Sequence, residues 1–214
     1  MCATRIIVHV NPMNRCQPVF YSTLNKTSMA KSNTSRYEDQ AIRLEYERHG
    51  VQGFYTRSGA SYRNPHERVI RAILRRAVDR RGLDRRHVLD LACGSGEVTL
   101  ALQELGCPCI DGIDPYTYQA YLQRTGKHAE QYTFEQIAAG ALLGRSYSLI
   151  VCSFALHLLE ESRLPGLACQ LKLISDTLIV ITPHKRPQLR TAWGWAQVDE
   201  IMLERVRARL YQRI

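Results

Sequence analysis

Residues 1–37 contain no aspartate or glutamate, although Arg5, Arg15, Lys26, Lys31 and Arg36 fall there. The other 177 residues therefore carry only four of the nine net positive charges, so bulk charge argues little for a nucleic-acid surface. The chain has no apolar run near the roughly 18 residues of a membrane span. Its longest candidate, Leu149 to Leu159, is interrupted by Ser153 and His157 and reads as a buried strand entering a helix. No Cys-x-x-Cys occurs among the seven cysteines, an odd number, and Cys107-Pro108-Cys109 has no matching second pair. Neither a disulfide framework nor a metal site is expected. Reduced thiols suit a cytoplasmic setting. The acid-free start also has the composition of an organellar transit peptide, and Met29 offers an alternative start.

What remains is ordinary for a globular domain: 45% hydrophobic and 23% charged residues. The chain divides into an extension over 1–36 without sustained periodicity, a helical cap over 37–82 and a main domain over 83–214. In the cap, Glu38 to His49 reads as a helix stopped by Gly50. Asn64-Pro65 reads as the N-cap and first position of a second helix, which Gly82 ends. Val69, Ile70, Ile73, Leu74, Ala77 and Val78 form its apolar stripe; Arg68, Arg71, Arg75 and Arg76 lie mostly off it.

Strands and helices then alternate. Strands are expected at 87–93, 109–114, 129–133, 147–154 and 177–182, with helices over 96–105, 116–124, 134–143 and 160–174. Such alternation implies an α/β fold, a mostly parallel Rossmann-like sheet with helices on both faces. At the end, Val206, Ala208 and Leu210 alternate with Arg205, Arg207 and Arg209, a strand pattern with 195–203 as antiparallel partner. A helix over 198–213 is the alternative.

The chemistry centres on Val88-Leu89-Asp90-Leu91-Ala92-Cys93-Gly94-Ser95-Gly96. An apolar strand ends in a small-residue turn that opens a helix. Glycines allow close approach of a ligand, and free N–H groups with the helix dipole favour its polar atoms. Asp114 ends the next strand about 20 residues on, where an acid can bind ribose hydroxyls. Pro115 then breaks the strand. A dinucleotide-binding dehydrogenase would need glycine where Thr99 stands.

On these residues the stretch from Val88 to about Thr182 resembles the class I S-adenosylmethionine (SAM)-dependent methyltransferases, with Ala92 in place of the first glycine of the family turn. The resemblance implies SAM as cofactor. Asp90 would hold its methionine amino group, and the backbone of Ala92, Cys93, Gly94 and Gly96 would pack on methionine and ribose. Asp114 would take the ribose hydroxyls beside Pro115. Phe134 would lie near the adenine, and Ser153 would face the cofactor from the fourth strand. The residues after the fourth and fifth strands would face the methyl group. There His157 and His184 are the catalytic candidates, His157 as a base titrating near neutrality. Lys185 and Arg186 would grip an acidic substrate group, with Tyr62 and Arg63 contributing from the cap. No Asn/Asp-Pro-Pro-aromatic motif follows the fourth strand, which argues against exocyclic base amines. A small-molecule acceptor methylated at O or N is favoured. RNA or protein acceptors, and a non-catalytic SAM-binding subunit, remain the alternatives. No membrane partner is expected.

Overall fold

The computed structural model describes Gly53, Arg57 and residues 59–214. The extension over 1–36 with its alternative start, and the helix expected over 38–49, lie outside the described residues.

Helix α1 (Glu67–Arg81) opens two residues later than Asn64-Pro65 suggested. His66 occupies the N-cap without a side-chain cap bond, while Asn64 Oδ1 accepts from the His66 N–H (2.9 Å). Asn64 forms a turn ahead of the helix, because its own N–H is drawn to Glu97 Oε1 (3.1 Å). Gly82 closes the helix in the left-handed region (φ 56°). The predicted stripe is buried. Five of its side chains join Val98 and Leu102 against Val88, Leu149, Ile179, Ile181, Val206, Ala208 and Leu210. Each fully buried aliphatic side chain contributes roughly 1.5–3 kcal/mol, so α1 is held by packing on the sheet.

Seven strands follow in the order β3-β2-β1-β4-β5-β7-β6. They are β1 (Val88–Leu91), β2 (Ile110–Ile113), β3 (Ala129–Glu130), β4 (Leu149–Ser153), β5 (Thr177–Thr182), β6 (Trp195–Leu203) and β7 (Val206–Arg213). The first five run parallel; β7 inserts antiparallel between β5 and β6. Helices α2 (Glu97–Glu104), α3 (Tyr118–Thr125), α4 (Phe134–Ala138) and α5 (Leu164–Leu171) connect them. Both α4 and α5 are shorter than their apolar patterns. Gly140 and Gly144 take positive φ beyond α4, and 3-10 turns occupy 156–158 and 161–163 before Pro165 enters α5.

The sequence ended in either a hairpin or a helix, and it is a hairpin. Glu204 and Arg205 form the turn, both at positive φ (48° and 71°), as a tight hairpin turn demands. Trp195, fully buried, donates its indole N–H to Ala168 O (3.0 Å) and ties β6 to α5. Along β1 every residue is buried, as a central parallel strand requires. One of the four is Asp90.

Candidate active site

The carboxyl ends of β1, β2 and β4 open into a cleft of ≈ 240 Å³ at the point where strand order reverses between β1 and β4. Asp90 is fully buried at its edge. Its Oδ2 accepts from the Thr99 N–H (3.0 Å) and the Thr99 hydroxyl (2.7 Å), and that hydroxyl also meets the Tyr121 hydroxyl at 3.0 Å. Asp90 Oδ1 is buried with no hydrogen-bond partner among the described residues. Burial, added to by Glu97 and Asp114, pushes its carboxyl up to about 7. An unpaired carboxylate oxygen in a low-dielectric site is costly unless a ligand completes it.

The turn after β1 holds its shape through backbone geometry. Ala92, Gly94 and Gly96 all take positive φ (56°, 57° and 90°). Three of the N–H groups expected to be free are used internally. Gly94 N–H donates to Asp114 Oδ2 (3.2 Å), Gly96 N–H to Cys93 O (2.9 Å) and Cys93 N–H to Ile113 O (3.0 Å). The turn thus offers clearance to a ligand more than donors. Gly96 does not line the cleft: a Cβ there would strike Thr125 Cγ2 at 2.4 Å, so it serves the packing of α2 on α3.

Asp114 Oδ1 accepts from the Tyr116 and Thr117 N–H groups (both 2.9 Å). Burial raises its carboxyl against these bonds. A carboxylate offers about four lone-pair sites. The three bonds here leave room for a ligand hydroxyl at Oδ2. Tyr62, Ala92, Cys93, Gly94, Pro115, Phe134 and Ser153 complete the predicted lining. The Tyr62 ring lies 3.4 Å from where a Gly94 Cβ would stand. Ser153 Oγ is buried without a partner among the described residues, and burial keeps the Cys93 thiol protonated.

Beyond the shared wall at Leu159 lies a second cavity of ≈ 360 Å³, lined by His157, Glu161, Leu164 and residues 186–190. His157 and His184 lie side by side, ring centroids 4.6 Å apart. Burial, and then the neighbouring His184, push His157 down to about 4, so the near-neutral titration expected for a base does not hold. Its Nδ1 is buried without a partner among the described residues. Arg186 reaches this cavity, with Glu161 3.8 Å away. Lys185 and Arg63 are exposed and line neither cavity.

Three groups escaped the sequence reading. Thr99, noted only as a departure from a dinucleotide fingerprint, holds Asp90. Glu97, almost fully buried, accepts from Ser95 Oγ and, at 3.0 Å, from Arg124, which also clamps Glu67 (2.9 Å) and so binds α1, α2 and α3 together. Arg209, noted only as one of the arginines alternating with the apolar residues of the last strand, is 1% exposed. It pairs with Glu200 (2.8 Å) and donates to the carbonyls of Pro187 (3.0 Å), Lys185 (2.9 Å) and His184 (3.5 Å). Only the alternation flagged this residue, and alternation cannot tell a buried polar side chain from an exposed one.

A parallel sheet closed by an antiparallel β7, with an acid-flanked cleft at its switch point, is the architecture of Rossmann-like methyltransferases. Solved structures agree. Magnesium protoporphyrin IX methyltransferase from Synechocystis, crystallised with SAM, superposes with a TM-score of 0.54 at 16% identity, covering 88% of this chain and all of that one. The N-methyltransferase NodS from Bradyrhizobium japonicum, with S-adenosylhomocysteine, gives 0.54 at 16%, covering 70% of this chain and 88% of its own. An uncharacterised Schizosaccharomyces pombe protein is 33% identical over 221 residues, 76% of this chain and 88% of the yeast protein. The family profile described as a methyltransferase domain matches residues 61–208, and the chain belongs to that family.

Proposed function

We propose that this protein transfers a methyl group from SAM to an oxygen or nitrogen of a small, acidic molecule. The orphaned Oδ1 of Asp90 carries the cofactor reading: a buried anion lacking a partner suits an ammonium group. Asp114 would take the ribose through its remaining lone pair, and Phe134 and Pro115 offer apolar surface to the base. Bound SAM supplies a methyl group activated on a sulfonium. The protein's task is then to align the acceptor and exclude water.

The second cavity supports the acceptor class. A neutral His157 held near 4 is a weak proton acceptor, so an acceptor that is already anionic suits the site better than one needing deprotonation. Arg186 and Arg190 on the cavity wall share one carboxylate, Glu161, so the wall keeps a net positive charge that favours the same substrate charge. An RNA track along α1 is less well supported. Of the four arginines lying mostly off its apolar stripe, Arg68 pairs with Glu204 and Arg71 with Glu67 and Glu104.

Calorimetric titration of SAM and S-adenosylhomocysteine into wild type and Asp114→Ala tests the cofactor step. Binding in wild type that falls by at least about tenfold in the variant is expected. Absence of binding by folded wild type would overturn the reading. Screening small carboxylic and phenolic acids with labelled SAM then tests the acceptor. Labelling of RNA instead, with steep salt dependence, would transfer the acceptor assignment to nucleic acid.

A further inference from the structure

We propose that His87, Cys109 and Asp111 form a binding site for one zinc-type divalent ion at the end of the sheet opposite the cofactor cleft. The parallel register sets the arrangement. Val88 pairs with Ile110, so His87 and Cys109 sit side by side just before β1 and β2, joined by the Val88 N–H to Cys109 O bond (3.0 Å). Asp111 lies two residues beyond Cys109, and a strand's period of two puts both side chains on one face. Imidazole, thiol and carboxylate thereby converge, with all ligand atoms within 4.8 Å of one another and His87 Nε2 3.0 Å from Asp111 Oδ2. In a tetrahedral zinc site such atoms stand about 3.3–3.8 Å apart. A rotation of the exposed Cys109 side chain closes the difference.

The frame is rigid. His87 N–H donates to Ser148 Oγ (3.1 Å), Ser148 Oγ donates back to His87 O (2.9 Å), and the imidazole leans on the Tyr147 ring (4.7 Å between centroids). The sequence held no second Cys pair because the partners of Cys109 are a histidine 22 residues earlier and an aspartate on its own strand. Nitrogen, sulfur and oxygen together select zinc-like borderline ions over magnesium or calcium. On binding, the Cys109 thiol gives its proton to solvent, and the imidazole proton moves from Nε2 to Nδ1. One thiolate and one carboxylate then neutralise the dication, and water fills the fourth position. Lys127, 3.4 Å from Ile110 O, is a nearby opposing charge. The rival explanation is a plain surface His–Asp pair in which Cys109 plays no part.

Cobalt(II) titration of the full chain separates the two. One equivalent should produce thiolate-to-cobalt charge-transfer absorption and intense tetrahedral ligand-field bands, and zinc should bleach both. Cys109→Ser should abolish the charge-transfer band, His87→Ala and Asp111→Asn should weaken binding by at least about tenfold, and Cys107→Ser should change neither. No charge-transfer band at excess cobalt, or a band that survives in Cys109→Ser, would overturn the site.

Discussion

At the scale of single residues the molecule is organised around one expensive carboxyl. Asp90 stands fully buried in the central strand, with Thr99 satisfying one oxygen and nothing among the described residues satisfying the other. Because its folded value near 7 exceeds the ordinary 3.8, the stability this group contributes is complete below 3.8 and is lost as pH rises through 7. A bound ammonium reverses the preference by favouring the charged form. SAM affinity should therefore rise about eightfold between pH 6 and 7.5, following the ionised fraction of Asp90. Asp90→Asn should bind weakly with a flat profile. Calorimetry across that range measures it, and a wild-type profile as flat as the variant's would show that Asp90 does not meet the cationic group. The sequence placed Asp90 within the first strand and Asp114 at the end of the second because an acid in an apolar run is conspicuous. Thr99 was not conspicuous, since a threonine in the first turn of a helix has many bland explanations.

Elements transmit that carboxyl's position. Gly112 on β2 has no room for a side chain: a Cβ would lie 2.6 Å from Tyr121 Cζ. Tyr121, fully buried on α3, touches the Thr99 hydroxyl on α2, and Thr99 in turn holds Asp90 on β1. Gly112→Ala should cost about 1–3 kcal/mol by overpacking and should also weaken SAM binding, although Gly112 does not line the cleft. Adding Tyr121→Leu should restore much of the stability but not the binding. Denaturant midpoints and calorimetry on both variants separate these effects, and Gly112→Ala with unchanged stability would mean that the ring simply moves aside. Most strands were legible because parallel strands buried on both faces read as apolar runs. Element ends were less so. Helix α1 begins late because Asn64 is claimed by Glu97, a partner 33 residues away. The hairpin turn was obscure because Glu204 and Arg205 are not the asparagine and glycine that positive φ favours.

Across the whole molecule, the strand order was the least legible feature. Alternation foretold a parallel sheet and a terminal hairpin, but nothing local says that β7 slips between β5 and β6. That insertion brings Arg209 beneath the loop after β5, where its guanidinium holds the carbonyls of His184, Lys185 and Pro187 while Glu200 balances its charge. The loop carries His184, which faces His157, and Arg186, which lines the second cavity. The proposed acceptor side of the site is thus supported from a strand more than twenty residues away, while the proposed cofactor side rests on β1 and β2. The two halves should separate on mutation. Arg209→Met keeps much of the side-chain volume but removes the donors, and should cost about 3 kcal/mol, the scale for breaking a buried charged pair. Amide hydrogen exchange should accelerate at residues 184–186 and 188–189, with SAM affinity within twofold of wild type. Arg209→Lys, which restores the charge beside Glu200 but not the forked donor geometry, should recover stability more than loop protection. Loss of SAM binding with unchanged exchange in the loop would reverse the assignment and make Arg209 a support of the cofactor cleft.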